Sequence, residues 1–107
     1  MSTIPVSTTL DLSTLVSYQE GSVVSRQITK ADAGNVTLFA FDVGQTLSEH
    51  TAPYDALVHV LEGRAEVLIG GQPFVLQTGQ AILMPANVPH ALKALTSFKM
   101  LLTMIRS

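Results

Sequence analysis

A chain of 107 residues with a net charge of −2 and no cysteine has room for one core. It carries no basic cluster to engage nucleic acid or an anionic membrane. It also has no thiol for disulfides, covalent catalysis or metal ligation. Hydrophobic residues reach 47% while charged ones reach only 13%, about half of what soluble domains carry. An apolar surface of that kind predicts self-association, most simply a homodimer.

The first residues, "MSTIPVSTTLDL", lack a basic segment followed by an apolar run, so they do not form a secretory signal. Apolar runs such as "AILMPA" are too short to span a bilayer. The expectation is a soluble, cytoplasmic protein. Residues 1–21 are expected to form an N-terminal extension, in which "TLDLSTLV" makes one short helical turn capped by Asp11 or Ser13. Residues 22–107 would form the β-domain.

Strand-sized segments then follow at nearly regular intervals. "SVVSRQITK" runs into the turn "ADAGN", and "NVTLFAFDV" stops near Gly44. "QTLSEH" ends at the break "TAPYD", and "ALVHVLEG" closes at a hairpin tip, Glu62-Gly63-Arg64. "AEVLI" meets Gly70-Gly71, a two-residue turn of the kind that needs positive φ. "QPFVLQTGQ", "AILMP", "PHALKA" and "SFKMLLTMI" complete about nine short strands with almost no helix. Such a pattern predicts an all-β sandwich or barrel.

Two strands are apolar on both faces. In "FKMLLTMI", Phe98, Met100, Leu102 and Met104 share one side, and Leu101 and Ile105 lie on the other. In "NVTLFAFDV", Val36, Leu38 and Ala40 oppose Phe39, Phe41 and Val43. One side fills a barrel, and the other requires a second layer or a partner subunit.

The segment Gly44 to Gly63 and the segment "GQAILMPANVPHALKA" together resemble the two motifs of the cupin superfamily in its small single-domain form. The first motif runs Gly, five residues, His, one residue, His, three or four residues, Glu, six residues, Gly. Gly44, His50 and Gly63 match it. The second runs Gly, five residues, Pro, one residue, Gly, two residues, His, three residues, Asn. Gly79, Pro85 and His90 match it, with Asn87 and Ala94 in place of Gly and Asn. Asn tolerates left-handed backbone angles, so the turn at Asn87 is kept. The resemblance implies a double-stranded β-helix, or jelly-roll barrel.

It also implies a metal site built from both histidines and the glutamate of the first motif and the histidine of the second. Here Ala52 and Ala56 stand at two of those four positions. His50 and His90 remain, and Asp55 is the best third candidate if a register shift at Pro53 turns it inward. By alternation from position 56, His59 belongs to the opposite face.

Three functions follow. The first is a small-molecule-binding barrel, with His50, His90 and Tyr54 as polar handles and Phe39, Phe41, Met84 and Met100 as an apolar lining. Any divalent metal in it (zinc, iron, manganese or nickel) would be weakly held. The second is a dioxygenase- or isomerase-type metalloenzyme using His50, His90 and Asp55. The third is an effector-sensing module acting through a separate partner.

Overall fold

A computed structural model describes residues 4–106. Its elements are a 3-10 turn, Leu12–Thr14, and nine strands: β1 Val23–Ala31, β2 Gly34–Phe41, β3 Thr46–His50, β4 Tyr54–Glu62, β5 Arg64–Ile69, β6 Gln72–Gln77, β7 Ala81–Met84, β8 His90–Ala94 and β9 Phe98–Arg106. They form a five-stranded sheet in the order β1-β2-β9-β4-β7 and a four-stranded sheet in the order β3-β8-β5-β6. Every strand pair is antiparallel. This is the expected all-β jelly-roll barrel. Among the described residues no helix is long and apolar enough to cross a membrane.

The expected hairpin forms at Gly70-Gly71, with φ of 57° and 82°. Two consecutive positive φ values match the right-handed twist of the flanking strands, and only glycine adopts both cheaply. Ile69 and Gln72 thus pair directly across the turn.

Alternation sorts side chains into an interior and two outer faces. Phe41, Ala56, Val58, Val60, Met84, Phe98 and Met100 from one sheet meet Ala65, Val67, Leu76, Leu92 and Ala94 from the other. The Phe41 and Phe98 rings stack at 4.5 Å. Burying one such side chain is worth about 1.5–3 kcal/mol, so these layers hold the sheets together.

A second cluster lies outside the barrel. Val16 covers Leu38 and Ala40 on the outer face of the five-stranded sheet, with Leu12 and Leu15 packed beside it. The Arg26 guanidinium donates to the Leu15 carbonyl at 3.3 Å, the Lys99 ammonium donates to the Ser13 carbonyl, and the Tyr18 hydroxyl donates to Glu62 at 2.6 Å. The helical turn is not capped by a side chain at its start. The backbone carbonyl of Asp11 accepts from the Thr14 amide instead, while the Asp11 carboxylate accepts from the Ser13 hydroxyl at 3.2 Å.

Candidate functional site

One end of the barrel is sealed and the other is open. Near the β2 and β9 termini, Phe41, Phe98, Met100 and Val60 are fully buried. At the opposite end the inward-facing positions are only half-buried: Tyr54 on β4, Ile69 on β5 and Met104 on β9. Two loops frame this open end, 51–53 between β3 and β4 and 85–89 between β7 and β8. The Asn87 amide donates to the Ala52 carbonyl at 2.8 Å and ties them together. Asn87 adopts φ 65°, the left-handed conformation expected where a glycine is usual.

His90 opens β8 and shares the inward face with Leu92 and Ala94. It is 6% exposed and is the buried polar residue among the core positions. His50 ends β3 and is the Cα partner of His90, just as Leu47 is the partner of Leu92. Three steps on β3 thus oppose two on β8, so a bulge lies between Leu47 and His50. Strict alternation from inward-facing Leu47 would send Glu49 inward and His50 outward. The extra residue reverses that parity and re-aims His50 toward its partner.

The two rings lie edge to face, with centroids 4.3 Å apart and Nε2 atoms 3.0 Å apart. His50 Nδ1 is 2.7 Å from the Ser48 carbonyl. A carbonyl only accepts, so the single proton of neutral His50 sits on Nδ1 and its Nε2 carries a lone pair. His90 Nε2–H then donates into that lone pair. His90 Nδ1 lies 3.3 Å from the Val88 carbonyl, a longer contact. Burial holds His90 below the ordinary imidazole value, the neighbouring His50 acts in the same direction, and the Val88 carbonyl opposes them. Burial therefore disfavours the charged form of His90, and the two Nε2 atoms present one N–H and one lone pair.

Asp55 does not join this pair. Pairing of β4 with β9 runs without interruption from Tyr54, and the register shift falls between Val60 and Glu62 instead of at Pro53. Asp55 therefore stays on the outer face with Leu57 and His59, opposite buried Ala56, and its Oδ1 accepts from the Ala86 amide at 2.9 Å. This corrects the expected ligand set. Ala56 offers only a methyl inside the barrel. Among the described residues no three His, Asp or Glu side chains are grouped as they would be around a metal ion. Catalytic zinc needs three protein ligands, and non-haem iron needs two His and a carboxylate. The residues present do not fit such a centre.

The expected apolar lining is also redistributed. Phe41, Met84 and Met100 are buried in the core, with Phe39 packed against them. Surface at the open end comes from Leu47, Ile69 and Met104 instead. The period-2 pattern of β9 already placed Met104 on the inner side; the missing information was which end of the strand is open. Tyr54 lies on the inward face of β4, where its hydroxyl accepts from Arg106 Nη2 at 3.1 Å. Arg106 also sits over the ring, 5.5 Å from its centroid.

Residues 37–106 match a family model described as a cupin domain. A conserved protein of unknown function from Streptococcus pyogenes superimposes with a TM-score of 0.92 at 35% identity, covering 100% of this chain and 96% of that one. A cupin 2 conserved barrel domain protein from Leptotrichia buccalis does so with a TM-score of 0.88 at 38% identity, over 91% of this chain and 47% of that one. A curated relative, polyketide synthase CurC of Streptomyces cyaneus, is 36% identical over 61 residues, 56% of this chain. The chain spans 40% of that relative's length.

Proposed function

The chain belongs to the cupin domain family, and from that premise we propose that it is a small-molecule-binding barrel whose ligand enters at the His50–His90 end. The observation that carries this reading is the Nε2–Nε2 separation of 3.0 Å. One ring donates and the other accepts, so a ligand hydroxyl, which does both, can replace their mutual hydrogen bond when the rings part to about 5 Å. The ligand's apolar body would rest on Leu47, Ile69 and Met104, with Tyr54 at the rim.

A pair in which burial disfavours the charged form of His90 suits a neutral hydroxyl better than an anion. A carboxylate only accepts and would need a second N–H, hence a charged imidazole that burial at His90 disfavours. The relative named as a polyketide synthase is consistent with an oxygen-bearing, largely apolar ligand. Two convergent nitrogens with no third ligand among the described residues do not make a catalytic metal centre.

Phenol and benzoate serve as probes. Titrated at neutral pH, phenol should shift the ring signals of His50 and His90 with one saturable curve, and benzoate should bind more weakly. The His50→Ala and His90→Ala variants should lose the phenol response. Tighter binding of benzoate, or a phenol response that survives both substitutions, would contradict the reading.

A further inference from the structure

The open end of the barrel carries polar groups on both sheets. On the four-stranded sheet they are His50 and His90. On the five-stranded sheet they are Tyr54 and Arg106, direct partners where β4 meets the end of β9. The same register pairs Ala56 with Met104 and Val58 with Leu102, all packed in the barrel core. By alternation Arg106, two residues beyond Met104, takes the inward parity of β9 and stands exposed at the mouth. Its backbone amide donates to the Ala33 carbonyl at 2.8 Å, which holds the strand end in place.

Together the two side chains present donors. The guanidinium lies 5.5 Å from the Tyr54 ring centroid and donates through Nη2 to the Tyr54 hydroxyl. That hydroxyl keeps its own hydrogen, which has no acceptor among the described residues. Arginine has five N–H donors and no acceptor, so several remain for a ligand. Among the described residues the ion pair is Lys99–Glu62, at the sealed end, and no carboxylate reaches Arg106. Asp55, beside Tyr54, accepts instead from the Ala86 amide on the outer face. A planar guanidinium matches the two oxygens of a carboxylate.

We infer that Arg106 and Tyr54 form a carboxylate-recognising rim, and that the ligand is a hydroxy acid with its hydroxyl and carboxylate at opposite ends. This inference rests on the hydroxyl reading of the His50–His90 pair and adds the other end of the molecule. Tyr54 follows His50 by four residues, which limits their Cα separation to about 14 Å. One ring with a short carboxylate arm suits such a span. The neutral hydroxyl goes to the buried imidazoles, where charge is costly. The carboxylate stays at the exposed rim, where it keeps part of its hydration. Benzoate, which has no hydroxyl, satisfies the rim alone.

Calorimetric titration of the full chain at neutral pH with 3-(4-hydroxyphenyl)propanoate and with its methyl ester tests this. The two probes share the ring and hydroxyl and differ in the charge. The acid should bind about fivefold more tightly than the ester, as an exposed ion pair allows. That ratio should shrink toward one in about 1 M salt, which screens the rim. It should also fall to about one in Arg106→Gln. Arg64→Gln, which removes an exposed cation at the sealed end, should keep it. Equal binding of acid and ester by the wild type, with phenol still bound, overturns the rim and leaves the hydroxyl reading standing. Failure of phenol, acid and ester alike to bind overturns both. A ratio that survives in Arg106→Gln, or is lost equally in Arg64→Gln, places the preference elsewhere and overturns the proposal too. The salt series needs only the wild type, so a ratio unmoved by salt overturns the proposal even where a variant fails to fold.

Discussion

His50 and His90 are opposite one another on β3 and β8 with their Nε2 atoms 3.0 Å apart, and they meet because β3 carries one residue more than its partner. The bulge between Leu47 and His50 converts an outward-facing position into an inward-facing one. The pairing of the two imidazoles is therefore a property of chain register, with the His50 ring oriented by the Ser48 carbonyl and the His90 ring by its bond to His50.

Deleting Glu49 should remove the bulge and turn His50 to the outer face. Because β3 is an edge strand, the barrel should fold with a loss under about 1 kcal/mol. Phenol affinity should drop about tenfold, which corresponds to about 1.4 kcal/mol and so to one hydrogen bond. Heat unfolding and the phenol titration check the two halves of this expectation separately.

Acid should act on the same pair. His90 is held below the ordinary value of 6.5, chiefly by burial, so the folded protein takes up this proton less readily than the unfolded chain. The contribution to stability is fully present above pH 6.5 and declines as the pH falls from there toward the folded value. Phenol affinity should likewise be flat above that pH and weaken below it. A pH series of unfolding and binding curves measures both, and the His90→Gln variant should flatten the His90 share of the acid decline.

The fold was legible because it rests on features the sequence displays locally. Alternation in β2 and β9, the Gly70-Gly71 turn and the spacing of Gly44, His50, Pro85 and His90 each point to the same barrel. Asp55 was misplaced because the position of a register shift depends on pairing with β9, which local sequence does not encode. The Glu62-Gly63-Arg64 tip, read as a plain hairpin end, is tied into the tertiary structure. Glu62 receives the Tyr18 hydroxyl from a segment 44 residues away, and Gly63 packs against the backbone of Ser97 and Phe98.

Gly63→Ala should consequently be among the most damaging small substitutions. Gly63 has φ 86°, and an added Cβ would lie 2.3 Å from the Ser97 carbonyl oxygen and 2.8 Å from Phe98 Cα. Left-handed strain and overpacking together should cost about 2–4 kcal/mol, lowering Tm by about 10 °C or more. Gly79→Ala, with a similar φ of 87° but open space around the added Cβ, should cost only the strain. Differential scanning calorimetry of the two variants separates the terms.

Zinc titration addresses the donor set. Two convergent imidazoles without a third ligand should bind zinc weakly and give it up to a mild chelator. The His50→Ala and His90→Ala variants should each abolish that binding, whereas Asp55→Asn should leave it unchanged, because the Asp55 carboxylate is engaged by Ala86 on the outer face. Isothermal titration calorimetry provides the comparison.

The most direct measurement is the long-range imidazole nitrogen–proton spectrum of the full chain at neutral pH, recorded with and without phenol. Without the probe, His50 should be protonated at Nδ1 and His90 at Nε2, and with it both rings should shift along one binding curve. Rings averaging freely between tautomers, or a phenol response confined to residues away from β3 and β8, would contradict the account.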